Sequence, residues 1–112
     1  MELYNCDCLD KLKDLKNESV NLILTDPPYN IFHNKLEWDK VDNYIDFMVN
    51  VFKEGYRVLK KNGSLYFFHS DFKQICELQN AIEKETCFIH QKFITLTKDS
   101  FICKKLGCAF PL

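Results

Sequence analysis

Val20-Asn21-Leu22-Ile23-Leu24-Thr25-Asp26-Pro27-Pro28-Tyr29-Asn30 decides how the rest of the chain is read. Residues 20–25 are mostly apolar and bear three β-branched side chains, as expected for a strand buried on both faces. Asp26 and the two prolines end that strand. Each proline fixes its φ and removes a backbone donor, so carbonyls of the turn can point outward without partners inside it. A polar loop follows to about Asp39.

Outward from this stretch, apolar runs alternate with helix-period segments. Upstream, residues 3–6 are a strand candidate. Leu9, Leu12 and Leu15 then mark a short amphipathic helix, with Asp7 where an N-cap belongs. Downstream, Val41, Ile45, Met48, Phe52 and Leu59 mark the clearest helix, which Lys60-Lys61-Asn62-Gly63 should stop. Residues 64–68 are a third strand, with Phe67 and Phe68 expected in the core. Phe72, Ile75, Gln79 and Ile82 mark a further helix with Ser70 as its cap, and residues 88–97 are a fourth strand. Residues 101–112 show no period.

Strands alternating with helices point to an α/β fold, a mostly parallel sheet with flanking helices. In such sheets ligands bind beyond the carboxyl ends of the strands. That rule places Asp7, Asp26 and His69 on one rim. No repeat, low-complexity tract or internal domain boundary interrupts the pattern.

Composition narrows the classes. The chain has 112 residues, enough for one domain, and 46% are hydrophobic, too many for a disordered chain. Its formal charge of −1 lacks the basic excess of a dedicated nucleic-acid binder, so contact with DNA would be local or would need a partner. No apolar run is long enough to span a membrane, and the N-terminus does not read as a signal peptide. The six cysteines lack the pairing of a zinc site. No metal is expected, and reduced thiols in a cytoplasmic protein are the default.

The Asp26 turn suggests a chemistry. An exocyclic amine on a nucleobase offers two N–H donors and a poorly nucleophilic nitrogen. The Asp26 carboxylate and a loop carbonyl, most simply that of Pro27, can accept both. Doing so draws the nitrogen toward tetrahedral geometry and frees its lone pair. The Tyr29 ring offers a stacking face for a base removed from its duplex.

Asp26-Pro27-Pro28-Tyr29 after an apolar strand resembles the catalytic motif of the DNA adenine-N6 and cytosine-N4 methyltransferases. Tyr4-Asn5-Cys6-Asp7-Cys8-Leu9 is similar to the family's opening strand and acidic turn, with Cys6 where a glycine often stands. Asn30 after the tyrosine, Trp38 farther on, and Lys60-Lys61-Asn62-Gly63-Ser64-Leu65-Tyr66 extend the likeness, which covers roughly residues 2–98. The motif's early position resembles the permuted class, in which the catalytic region precedes the cofactor region.

The resemblance implies a Rossmann-like methyltransferase fold and S-adenosylmethionine as methyl donor. It implies direct transfer to a DNA amine, with no covalent enzyme intermediate. Asp26, Pro27 and Tyr29 would be catalytic. Asp7 and Asp26 would touch the cofactor, and Pro28, Asn30 and Trp38 the substrate. Asp at the first motif position favours adenine over cytosine.

The sequence also departs from the family. The Phe-x-Gly-x-Gly cofactor loop is not found, since Gly55, Gly63 and Gly107 are far apart. Leu96-Thr97-Lys98 stands where Trp-x-Lys is frequent, and no target-recognition region is evident. Residues 1–98 therefore read as the catalytic half of a methylase domain, incomplete by itself, and 99–112 as an unassigned tail. Two rival readings remain: a remnant or subunit that needs a second polypeptide, and an RNA or protein amino-methyltransferase. Enzymes of the latter kind keep the cofactor loop upstream of the motif.

Overall fold

The computed structural model describes residues 1–31 and 37–96. The element order is α1 (Cys8–Asp14), β1 (Val20–Thr25), a 3-10 turn (Glu37–Asp39), α2 (Tyr44–Val58), β2 (Leu59–Phe67) and α3 (Phe72–Glu85). The fold is α/β. β1 and β2 pair in parallel, with Leu22 beside Ser64, Leu24 beside Tyr66 and Thr25 beside Phe67. The ladder runs one step further, where the Phe68 N–H donates to the Thr25 carbonyl at 3.0 Å.

Helix α1 begins as its sequence requires. The Asp7 carboxylate accepts the Leu9 N–H at 2.8 Å, which satisfies one of the donors that a helix start leaves unpaired. Arg57 ties the far end of α1 to α2. Its guanidinium donates to the carbonyls of Leu12 and Leu15 at 2.7 and 2.8 Å.

Helix α2 is the hub and packs against α1, α3 and β2. Tyr44, Met48 and Phe52 recur every four residues along it and are buried together with Leu78 and Ile82 of α3. The Phe52 ring lies 5.2 Å from that of Phe67. At Gly55 the helix comes so close to the sheet that an added Cβ would stand 3.2 Å from the Ile23 side chain.

Several expectations need correction. Residues 3–6 form no strand, and Leu3 and Tyr4 are exposed. Residues 88–96 form none either. β-propensity follows from packing against neighbours, and neither segment has a ladder partner. Position 97 lies outside the described residues, as do His33, residues 99–112 and the cysteines at 103 and 108. With strand 3–6 gone, Asp7 marks a helix start and not a strand end.

The helix-stop segment has another role. Helix α2 ends at Val58, and Lys60-Lys61-Asn62-Gly63 lies inside β2, at the irregular step where the register slips. A Cβ on Gly63 would stand 2.9 Å from the Lys60 carbonyl and 3.2 Å from that of Asn21, so the close approach of backbones there needs glycine. The cap of α3 is Asp71, not Ser70, and accepts the Gln74 N–H at 2.8 Å. The stripe of α3 is rotated, too. Leu78 is fully buried while Phe72 is 70% exposed. Phe67 packs on the core, but Phe68 does not join it.

Candidate active site

Asp26 stands just past the carboxyl end of β1 and is exposed. The turn behind it is anchored by Asp39, which the sequence had suggested only as the end of a polar loop. Asp39 is 1% exposed. Its Oδ1 accepts the backbone N–H groups of Tyr29 and Asn30 at 2.7 and 3.0 Å, and its Oδ2 accepts that of Ile31 at 2.8 Å. A carboxylate that only accepts suits a cluster of amide donors, and burial without such donors would be costly. Asn30 sits at φ 56°, in the left-handed region that asparagine tolerates. Its side-chain oxygen accepts the Val41 N–H at 3.1 Å.

A second anchor comes from α2 and the loop after β2. The Asp71 N–H donates to His69 Nδ1 at 3.1 Å, which assigns the proton of the neutral ring to Nε2. Nε2 lies 3.0 Å from the Tyr44 hydroxyl, which donates onward to the Pro28 carbonyl at 2.7 Å. Burial pushes the His69 pKa down, against the opposing pull of Asp71 and Asp39, so the neutral ring fits its place in this chain. Burial likewise raises the Tyr44 pKa, keeping its hydroxyl a donor.

The motif side chains meet at this point. The Tyr29 hydroxyl donates to Asp26 Oδ1 at 2.6 Å. The Tyr29 ring lies 4.8 Å from the His69 ring, tilted by 31°. Burial, then the bond to Asp26 and its charge, push the Tyr29 hydroxyl up to about 12. The phenol is therefore a firm donor that occupies Asp26 Oδ1. With the Pro28 carbonyl taken by Tyr44, the Pro27 carbonyl has no donor among the described residues.

Asp26, Pro27, Pro28, Tyr29 and Asn30 are thus brought together, with Asp39, Tyr44 and His69 behind them. Trp38 lies on the 3-10 turn beside Asp39 and is 68% exposed, a rim aromatic and not a core one. Asp7 is exposed, with its carboxylate engaged at the start of α1.

Two supporting residues escaped the sequence reading for different reasons. Tyr44 was legible, because 44, 48 and 52 continue one helical stripe. Asp39 carried no signal, because a buried and a solvated aspartate in a polar loop look alike.

One cavity, about 260 Å³, is lined by Asn30, Asn43, Tyr44, Ile45, Asp46, Gln74 and Glu77. Two carboxylates at its wall disfavour a phosphate. Neither this cavity nor the smaller one beneath α2 is lined by Asp7 or Asp26. These two cavities among the described residues therefore give no pocket at Asp7 or Asp26 for a nucleoside-sized methyl donor. No group of three or more potential metal ligands occurs among the described residues, and no described helix is long and apolar enough to cross a membrane.

The model of the N6/N4 DNA methylase family matches residues 20–107.

The chain belongs to this DNA methylase family.

Among its relatives is the DNA adenine methyltransferase YhdJ of Escherichia coli, 48% identical over 67 residues, covering 57% of this chain and 23% of that protein. A type II methyltransferase of Moraxella bovis is 33% identical over 100 residues, covering 87% of this chain and 37% of the relative. One from Haemophilus parainfluenzae is 32% identical over 92 residues, covering 80% and 29%. The chain thus spans well under half the length of these N6/N4 methylase relatives.

Proposed function

We propose that this chain supplies the amine-holding half of a DNA methyltransferase that transfers a methyl group from S-adenosylmethionine to the exocyclic amine of a base, adenine N6 in preference to cytosine N4. The observation that carries the reading is the Asp26–Tyr29 turn, held by Asp39 and Tyr44 so that the Asp26 carboxylate and the Pro27 carbonyl remain as acceptors. Donor binding and target recognition would come from residues outside the described ones, or from a second polypeptide. A chain of net charge −1 leaves most phosphate contacts to such a region as well.

On this reading a flipped base brings its amine to Asp26 and Pro27. One N–H bonds to the carboxylate, displacing the Tyr29 hydroxyl, and the other to the carbonyl. The nitrogen lone pair is then free to attack. Tyr29, released from Asp26 and backed by His69, presents its ring to the base. Base–aromatic stacking contributes ~1–3 kcal/mol. Pro28 and Asn30 line the approach, and Trp38 stands at its rim, open to a substrate strand. Asp7 would face the methyl donor only if the missing surface were built beside it.

Mass spectrometry of methylated nucleosides tests the proposal. The chain would be incubated with S-adenosylmethionine and an oligonucleotide duplex, alone and with the portion of the Moraxella bovis relative that this chain does not match. The expected product is N6-methyladenine in the mixture. Asp26→Ala should lower its rate at least ~100-fold, the scale of losing one polar group aimed at the reacting atoms. Tyr29→Phe should lose less, because the ring face survives. Equal transfer by wild type and Asp26→Ala would rule the reading out.

A further inference from the structure

The turn that carries the motif cannot set its own shape. Two of its residues are prolines without N–H groups, and the next three N–H groups point back into the protein. We infer that Asp39 is the positioning residue of this site: its buried carboxylate gathers the N–H groups of Tyr29, Asn30 and Ile31 and so fixes where Asp26, the Pro27 carbonyl and the Tyr29 ring stand. This inference rests on the reading of Asp26 and Tyr29 as amine-holding groups.

Both oxygens of Asp39 take part. Oδ1 takes Tyr29 and Asn30, and Oδ2 takes Ile31. The contacts reach three successive residues, so they fix the direction of the backbone and not merely one end of it. Hydrogen bonds to a charged acceptor are about twice as strong as neutral ones. A surface cap could be lost locally, but Asp39 is 1% exposed and water cannot easily replace it. The Tyr44 hydroxyl holds the Pro28 carbonyl at 2.7 Å on the same turn. Amide donors and one carbonyl are therefore secured from behind, while the front of the turn stays open. The Tyr29 hydroxyl, at 2.6 Å from Asp26, occupies the front until an amine arrives. The bonds that Asp39 accepts from Tyr29, Asn30 and Ile31 all come from backbone N–H groups and not from the side chains that would meet the substrate. Asp39 acts through Tyr29 and its neighbours.

Nuclear magnetic resonance on the chain itself decides the matter. In the wild type, the amides of Tyr29, Asn30 and Ile31 should exchange with solvent at least tenfold more slowly than that of Asn17 in the exposed turn before β1. Asp39→Asn is nearly isosteric but places an NH₂ group against an N–H donor. If its remaining oxygen keeps Tyr29 and Asn30, Ile31 should lose about tenfold in protection. Asp39→Ala should release all three.

In both variants the ring-current shift between Tyr29 and His69, whose centroids are 4.8 Å apart, should fall, while the amides of Phe52 and Leu78 remain protected. The core amides separate loss of position from loss of fold. Should Asp39→Ala fail to fold, Asp39→Asn and the wild-type exchange rates still decide. In the methylation assay, Asp39→Asn should reduce kcat about tenfold and leave KM for DNA nearly unchanged.

Wild-type amides that exchange as fast as Asn17 would overturn the inference, as would an Asp39→Asn variant with all three still protected. If the amides behave as expected but wild type never methylates DNA, the role of Asp39 in shaping the turn stands and the methyl-transfer reading falls.

Discussion

On one face of the sheet Ile23, Leu65 and Phe67 lie under α2. On the other Leu22, Leu24, Tyr66 and Phe68 carry open surface, with Leu24 63% exposed. The two faces alternate along the same two strands and are apolar to a similar degree. Their fates differ because, among the described residues, only the first has a helix placed against it. A parallel strand pair is ordinarily covered on both sides. The open face therefore contributes little to folding here, and its apolar side chains are available for association. The lesson is that apolar content in a strand shows what could be buried, whereas the elements packed on it determine what is.

The strongest way to break this comparison is at Phe52, which is 1% exposed and faces the ring of Phe67. Phe52→Ala should cost ~3–5 kcal/mol, a large part of the stability of any small domain. A urea titration should show a much earlier midpoint or no cooperative transition. A cost below ~1 kcal/mol would mean that α2 does not seal this face.

Gly55 probes the same seal from the opposite direction. An added Cβ already stands at 3.2 Å from Ile23 and 3.5 Å from Leu65. Gly55→Leu should therefore overpack the helix–sheet contact and cost ~1–3 kcal/mol. Stabilisation in a thermal melt would show that the helix stands farther from the sheet than described.

The open face should answer quite differently. Leu24→Ser should change stability by no more than ~0.5 kcal/mol, even though it removes a leucine from a central position of β1. The same variant should reduce concentration-dependent association in light scattering. A loss above ~2 kcal/mol would show that something covers this face in solution.

The smallest effect is expected at the rim, where His69 follows Phe68. Its pKa is lowered by burial from the ordinary 6.5. Below 6.5 the unfolded chain therefore takes up a proton that the folded ring resists, so stability rises with pH in that window and is complete above it. Unfolding midpoints measured from pH 5 to 7.5 should slope less in His69→Gln than in the wild type. Equal slopes would mean that His69 is more accessible than its contacts with Tyr29 and Tyr44 indicate.

The sequence by itself determined one strand, one helix start, the existence of two further helices, and the family. The bounds of β1 follow from its apolar run and the prolines that end it. The start of α1 follows from Asp7, and the existence of α2 and α3 from their periodic apolar residues. The motif 26–30 was legible because proline, aspartate and tyrosine restrict geometry and chemistry in ways that do not depend on distant residues. Trp38 could be noticed but not placed.

What the tertiary structure decided is whatever depends on a partner far along the chain. Strand 88–97 had the right composition, yet its described part, residues 88–96, has no ladder neighbour. Leu22 and Ile23 are equally apolar, yet only Ile23 meets α2. Asp39 and Asp26 are the same residue type in what looked like one polar loop. One is buried and accepts the amides of Tyr29, Asn30 and Ile31, and the other is exposed and accepts the Tyr29 hydroxyl. Burial and pairing are properties of the assembled neighbourhood, and no local pattern could assign those two carboxylates their different work.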